Sequence, residues 1–270
     1  MQRTMTNRPA FIALLLAGIV MMSFVSCKKD KSINNGNNPP AATKLKEYRN
    51  GDDLVQFTYN TDGTIKKALV KTELNTNGDA VDFNISYNAQ KKISEVTTTS
   101  GEKIVPEYEN GLLTRANIFE GTVRTGYTNY HYETNQLKIA TIYVNAGGVD
   151  FEPILEFRFS YDGNGNLNKS EIFMSTGVPG QLVRAGHVNF QFDQKTNPLY
   201  ANRDFLALLW QAASKNNVTK EEHFGANLQL EDVFTYVYTY KTNGLPERAT
   251  VTNGLPGQPP VISSVNFTYE

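Results

Sequence analysis

The chain has 270 residues with 26 basic and 27 acidic side chains, so its formal net charge is −1. This balance provides no global field to attract a polyanion and argues against nucleic acid as a partner. The single cysteine excludes an intramolecular disulfide and a thiolate metal cluster. Aromatic residues make up 11% of the chain, with 14 tyrosines and 15 phenylalanines, a composition that favours β-strands.

The N-terminus has the composition of a secretion signal. Arg3 and Arg8 precede an apolar run over residues 10–25, which is too short and too N-terminal for a membrane span. The run ends in Phe24-Val25-Ser26-Cys27, which resembles the lipobox of bacterial lipoproteins, with Phe24 in place of the usual leucine. The resemblance implies that residues 1–26 are a signal peptide and that Cys27 becomes the lipidated first residue of the mature protein.

Residues 27–43 are predicted to be the lipidated cysteine and a flexible tether, because residues 34–40 are polar and contain glycine and proline. Acyl chains contribute on the order of 0.8 kcal/mol per buried CH₂, so they can anchor a protein without a membrane-spanning segment. Lys28 after the cysteine resembles the outer-membrane sorting pattern of many lipoproteins. We therefore expect a cell-envelope protein anchored to the outer membrane, on its periplasmic or its surface face.

Residues 44–270 are predicted to form one domain built from a hairpin repeat. An aromatic-x-aromatic segment followed by a turn and an aliphatic residue recurs along this region, as in Phe57-Thr58-Tyr59 before Ile65. The last aromatic of each copy is Tyr59, Tyr87, Tyr108, Tyr132, Tyr161, Phe192, Tyr240 or Tyr269. The intervals are 21 to 31 residues, except for one of 48. The shorter intervals fit two strands and two connections each.

Alternation within the copies predicts a sheet with one packed face and one wet face. Leu155, Phe157, Phe159 and Tyr161 alternate with polar residues, which is the pattern of a half-buried antiparallel strand. Turn signals lie between the strands at Asp62-Gly63, Asn77-Gly78, Asn110-Gly111 and Asn243-Gly244. The prediction is an all-β, up-and-down antiparallel meander of about 14–16 strands, enough to curl or close into a barrel.

The long interval is predicted to contain the only helix, at about residues 202–214. Apolar residues from Phe205 to Ala213 recur at helical spacing and include the only tryptophan, Trp210. Asn202 is the expected N-cap, and Ser214-Lys215-Asn216-Asn217 ends the pattern. A stripe of this kind must be buried, so we expect the helix to cover one end of the sheet or to fill its interior.

The hairpins, the insertion between Asn197-Pro198 and Ser214, and the lipobox together resemble the Bacteroidetes lipoproteins of unknown function with a porin-like fold. The resemblance covers about residues 44–270. The hairpins are also similar, in a looser form, to the YD-repeat shells of secreted toxins. The resemblance implies a porin-like β fold and an envelope location, and it provides no catalytic residue.

The histidines do not form a recognisable site. His131, His187 and His223 lie on separate predicted strands without the spacing of metal ligands, and the nucleophile motif GxSxG is absent. Asp162 and the following Gly163-Asn164-Gly165-Asn166 could provide oxygen ligands for calcium, but a hairpin turn explains them better. We therefore predict no catalytic residue, no metal site and no cofactor.

Paired carboxylates are the remaining feature with catalytic potential. Glu221-Glu222 and Glu231-Asp232 could serve glycoside hydrolysis. Adjacent residues of a strand point to opposite faces, so we interpret both pairs as solvated charges.

The sequence favours a non-enzymatic module that binds a ligand or partner, with a glycan or an envelope protein as the possible partner. The aromatic residues could stack on sugar rings if they lined an open groove. One alternative is an envelope polysaccharide hydrolase, which requires two facing carboxylates in a cleft. Another is a lipidated outer-membrane channel, which requires an outward apolar band of about 25 Å.

Overall fold

The computed structural model describes residues 43–51, 53–71, 80–145, 150–254 and 257–270. These residues form sixteen strands. The strands are β1 (Leu45–Asn50), β2 (Asp53–Tyr59), β3 (Ile65–Lys71), β4 (Val81–Tyr87), β5 (Ile93–Thr98), β6 (Glu102–Glu109), β7 (Leu112–Glu120), β8 (Val123–Glu133), β9 (Gln136–Val144), β10 (Glu152–Tyr161), β11 (Leu167–Ser175), β12 (Leu182–Thr196), β13 (Asn216–Gly225), β14 (Leu230–Tyr240), β15 (Pro246–Gly254) and β16 (Val261–Tyr269). A 3₁₀ segment (Pro198–Asn202) and helix α1 (Arg203–Leu208) lie between β12 and β13.

The strands form a closed antiparallel barrel. Each strand pairs with the next in sequence, and β1 pairs with β16 through partners such as Tyr48 and Phe267. This confirms the predicted meander and its closure. Even-numbered strands all finish at one end of the barrel, where the 3₁₀ segment and α1 are inserted. We call this the helix end and the opposite one the far end.

The apolar face of the sheet forms the inside of the barrel. In β4 the buried residues Val81, Phe83 and Ile85 alternate with polar ones, and Phe57 of β2 is 1% exposed. Outward positions carry charged residues, several of them in ion pairs along a strand: Arg49 with Glu47 at 2.9 Å, Arg158 with Glu156 at 2.7 Å, Lys169 with Glu171 at 2.9 Å and Lys220 with Glu222 at 2.7 Å. The predicted packed face is therefore the interior and the wet face is the exterior.

The predicted turns have the expected backbone geometry where they are described. Asn110 and Gly111 both have positive φ, at 51° and 80°, as a two-residue hairpin turn requires. The Asp62-Gly63 turn is closed by a hydrogen bond from Gly63 N to the Asn60 carbonyl at 2.9 Å. The predicted turn at Asn77-Gly78 lies outside the described residues.

The inserted helix is shorter than predicted. It was expected over residues 202–214, but α1 spans Arg203–Leu208 and follows the 3₁₀ segment. The Leu209 amide donates to the Leu206 carbonyl at 2.9 Å, and Trp210 has φ of 61°, which ends the helix. Asn202 precedes α1 as predicted but forms no side-chain cap, because its amide donates to the Tyr59 hydroxyl at 3.1 Å.

The position of the helix follows from its apolar residues. The Phe205 ring lies edge-on to Phe57 at 6.3 Å and to Phe83 at 5.7 Å between ring centroids. The Trp210 indole N–H donates to Thr128 Oγ1 at 2.8 Å. The segment therefore enters the barrel and fills its interior from the helix end, one of the two positions that the sequence predicted.

Neither helical segment in the described part of the chain has the length and hydropathy of a membrane-spanning helix. The predicted signal peptide, Cys27 and the tether up to residue 42 lie outside the described residues.

Candidate functional site

The repeated aromatics converge on the helix end of the barrel. Seven of the eight pack against the core, and beside all eight the pairing register of the strand shifts, as between Thr58 and Tyr59. Such a bulge places one extra residue in a strand and re-aims the side chains that follow. The recurrence of the bulge explains why the aromatics form a common ring, which we call the tyrosine ring.

Several hydroxyls of the tyrosine ring join neighbouring strands. Each donates to a backbone carbonyl near the start of the preceding strand: Tyr59 to Leu45 at 2.7 Å, Tyr161 to Leu137 at 2.6 Å and Tyr269 to Pro246 at 2.7 Å. Tyr87 also forms a hydrogen bond with the backbone of Ile65, at the start of the preceding strand. Burial raises the pKa of Tyr59 and that of Tyr87 to about 12, so these phenols stay protonated at neutral pH.

Tyr108 and Tyr132 depart from this pattern. Neither hydroxyl is hydrogen-bonded to another residue in the part of the chain that the structure describes. Burial raises the pKa of both phenols, and the negative charge of Asp204 raises each of them further. Both groups therefore remain neutral and keep a hydroxyl available to donate and to accept a hydrogen bond.

These two tyrosines line a cavity between α1 and the hairpins of the helix end. Its volume is about 320 Å³, which lies in the range of small-molecule sites. Rings and polar groups share the lining, which includes Tyr108, Tyr132, Tyr161, Arg203, Asp204 and Gln211. The insertion creates the cavity, because α1 provides one wall and the tyrosine ring provides the opposite one.

The charges of the cavity surround one carboxylate. Asp204 is 58% exposed at the side chain, 3.9 Å from Lys92 Nζ and 4.0 Å from Arg203 Nε. Arg203 also donates to the Tyr200 carbonyl at 3.3 Å. Rings with neutral hydroxyls beside a partly hydrated acid and two cations fit a ligand that has both apolar faces and hydroxyl groups. A saccharide has this chemistry.

A second polar cluster lies inside the barrel, away from this cavity. Glu221 is buried, and it accepts hydrogen bonds from the Tyr236 hydroxyl and from His223 Nε2, each at 3.0 Å. Burial raises the pKa of Tyr236, and the Glu221 charge raises it further. The prediction of a solvated Glu221-Glu222 pair was therefore wrong for Glu221, whereas Glu222 faces outward and binds Lys220.

The remaining candidates from the sequence, which are two histidines and Asp162, contact neighbouring residues of the barrel wall and turns. His131 lies on β8 beside Glu133, and His187 stacks on Phe224 at 4.5 Å between ring centroids. Asp162 Oδ1 accepts hydrogen bonds from the amides of Asn164 and Asn166, which places it in a hairpin turn. The described residues bring together no group of three or more metal-ligating His, Cys, Asp or Glu side chains.

Known structures share the architecture. A porin-like protein from Bacteroides uniformis has a TM-score of 0.56 and 15% identity, over 84% of this chain and 95% of that one. A porin-like protein from Bacteroides vulgatus has a TM-score of 0.56 and 14% identity, over 84% of this chain and 99% of that one. The fold is porin-like. At these identities the likeness shows the fold alone.

Neither a protein-family model nor a curated protein matches the sequence. The assignment to the lipoprotein family and the YD-like relationship therefore remain predictions, as does the lipidation of Cys27.

The cavity residues were not singled out by the sequence. Tyr108 and Tyr132 occupy the same repeat position as Tyr59 and Tyr161, and only their hydrogen bonding distinguishes them. The signal that could have located the site is the insertion, because a helix placed at one end of a barrel must leave its polar residues, such as Asp204, beside the ring of repeat aromatics.

Proposed function

We propose that the protein is a lipid-anchored binding protein of the bacterial cell envelope that holds a saccharide in the cavity of the helix end, without catalysing a reaction. Cys27 carries the lipid in this proposal and attaches the protein to the outer membrane. The observation that carries the binding function is the pair of tyrosine hydroxyls, Tyr108 and Tyr132, which have no acceptor among the described residues and line a cavity of about 320 Å³.

The chemistry of the lining supports binding over hydrolysis. A glycosidase uses two carboxyl groups about 5 to 10 Å apart across the scissile bond, and Asp204 is the one carboxylate among the residues that line the cavity. Glu221 is engaged by His223 and Tyr236 inside the barrel. The hydrolase alternative therefore has less support than binding.

The channel alternative requires a barrel that is apolar outside and open inside. Here Phe205 and Trp210 fill the interior at the helix end, and the exterior carries ion pairs such as Arg158 with Glu156. Both features support a barrel that presents a site at its end.

Isothermal titration calorimetry of the mature chain carrying Cys27→Ser, against a panel of neutral mono- and oligosaccharides, tests the binding function. Tyr132→Phe should weaken binding of the identified sugar by about threefold to tenfold, the effect of one neutral hydrogen bond. Tyr269→Phe is the matched control, since its hydroxyl already donates to Pro246. Absence of saccharide binding, or equal losses in both variants, would reject the proposal.

Metabolic labelling with a radioactive fatty acid tests the anchor separately. The wild-type chain should incorporate the label and fractionate with the outer membrane, and Cys27→Ala should abolish both. Label that persists in the Cys27→Ala variant would contradict lipidation at this residue.

A further inference from the structure

An aromatic cluster lies on the outer wall of the barrel, remote from the cavity. Tyr127 of β8 and Tyr143 of β9 are cross-strand partners whose rings stack at 4.7 Å with an interplanar angle of 12°. The Phe151 ring lies 5.4 Å from that of Tyr127. Gly126 and Val144, the adjacent pair, have the opposite orientation, and Val144 belongs to the core. The three rings therefore face outward, and we call them the outer aromatic cluster.

Two arginines flank this cluster. Arg115 Cζ is 4.8 Å from the Tyr127 ring centroid, and Arg124 Cζ is 5.5 Å from the same centroid and 4.7 Å from that of Phe151. Contacts at these distances are favourable cation–π interactions. They hold both guanidinium groups against one aromatic surface.

Neutral amides, not carboxylates, bind these guanidinium groups. Arg115 Nε donates to Asn129 Oδ1 at 2.9 Å, and Arg124 Nη1 donates to Asn117 Oδ1 at 3.3 Å. No carboxylate of the described residues lies within 4 Å of either group. Glu107, the cross-strand partner of Arg115, instead accepts a hydrogen bond from Asn117 Nδ2 at 2.6 Å.

Two other outward cations that cover aromatic rings have a carboxylate partner. Arg158 lies 4.1 Å from the Phe173 ring centroid, and its Nε is 2.7 Å from Glu156. Lys103 lies 5.3 Å from the Phe119 centroid and 3.7 Å from Glu95. Unlike Arg158 and Lys103, the two arginines of the outer aromatic cluster have only neutral hydrogen-bond partners.

We propose that Arg115 and Arg124 bind the carboxylate of an acidic saccharide, whose ring packs on the outer aromatic cluster. A guanidinium has five N–H donors in a planar fork that matches a carboxylate, and the two hydrogen bonds above use one donor of each group. Asn117 and Asn129, which hold the two guanidinium groups, are polar, which favours a soluble glycan over the wide apolar contact that a lipid surface needs. This site is separate from the cavity and does not depend on the proposed function.

The test compares a galacturonate oligosaccharide with its neutral galactose counterpart by isothermal titration calorimetry, using the mature chain with Cys27→Ser. We expect saturable binding of the acidic sugar, weakened by added salt, and markedly weaker binding of the neutral one. Arg115→Gln and Arg124→Gln should each reduce affinity about tenfold or more, as loss of a charge-assisted hydrogen bond implies. Arg158→Gln, the matched arginine with a carboxylate partner, should leave affinity unchanged.

Thermal unfolding of each variant verifies that it is folded, and Tyr132→Phe, a change in the cavity, should leave binding of the acidic sugar intact. Equal binding of the two sugars, an equal loss in Arg158→Gln, or no binding of the acidic sugar would overturn the proposal. A further experiment measures binding of the protein to vesicles with and without anionic phospholipid. Binding to the anionic vesicles without binding to the oligosaccharide would assign the arginines to a membrane surface and would also overturn it.

Discussion

Replacing Phe205 by alanine tests whether α1 is part of the barrel core. The side chain is 1% exposed and contacts Phe57 and Phe83, which belong to different strands. Phenylalanine-to-alanine changes in protein cores cost about 3–5 kcal/mol, through lost transfer free energy and the cavity that remains. We expect a value in the upper half of this range, because a closed sheet has little freedom to collapse onto the cavity and each edge-on aromatic pair adds about 0.5–1.5 kcal/mol.

Urea unfolding followed by circular dichroism measures this loss from the midpoint and slope of the transition. The expected loss is a large share of the about 5–15 kcal/mol that stabilises a typical protein, and it should lower Tm by roughly 8–20 °C. Val237→Ala is the control, since Val237 is 71% exposed on β14 and should change stability by less than about 0.5 kcal/mol. A loss below about 1 kcal/mol for Phe205→Ala would refute the packing of α1 inside the barrel.

Three further outcomes follow from the hydrogen bonds and the pKa shifts. Tyr161→Phe leaves a buried carbonyl without its donor and should cost about 1 kcal/mol, while Tyr132→Phe should leave Tm nearly unchanged. Equal melting shifts would contradict this difference. Glu221→Gln should lower the free energy of unfolding by about 1.5–3 kcal/mol, and Glu222→Gln by less than about 0.5 kcal/mol; similar urea midpoints would contradict the burial of Glu221. Because burial raises the pKa of two tyrosines of the ring to about 12, their contribution to stability is complete below pH 10 and is lost as pH rises through 12. Tyrosinate absorbance and circular dichroism should therefore change together there, and full ionisation of all tyrosines with an intact sheet would contradict the ring geometry.

The strands could be predicted because their signals are local. Alternation in a segment such as residues 155–161 depends on the period of a single strand, and turn pairs such as Asn110-Gly111 depend on φ at two residues. Since each repeat is one hairpin, counting the copies also gave the approximate strand number. Closure then followed from a general limit on how many strands an open sheet holds.

The helix was predicted to be too long because the residue at which it ends depends on a distant part of the chain. The apolar residues from Phe205 to Ala213 have helical spacing, but the chain leaves the helix after Leu208. Trp210 adopts positive φ and donates its indole N–H to Thr128, 82 residues earlier in the sequence. Burial of a polar N–H is costly unless it finds an acceptor, and this tertiary hydrogen bond outweighs the local helical preference.

The binding residues were missed for a related reason. Tyr108 and Tyr132 carry the same repeat motif as the other tyrosines, so nothing local shows that their hydroxyls lack the backbone acceptor found at Tyr161. Glu221 was assigned to solvent because it neighbours a second glutamate. Alternation correctly placed the two on opposite faces, but it could not show that the inner face provides His223 and Tyr236 as partners.

Alternation alone does not determine which face of the closed sheet points into the barrel. The insertion does. A membrane-spanning barrel and a barrel with an apolar core share the same period-2 pattern. The stripe that contains Phe205 and Trp210 cannot remain in water, and its partners Phe57, Phe83 and Thr128 are on the inner face. The helix therefore requires the apolar face to point inward and the ion pairs outward. A barrel filled in this way can present a ligand site at its capped end, beside Tyr108 and Tyr132, or on its wall, beside Arg115 and Arg124.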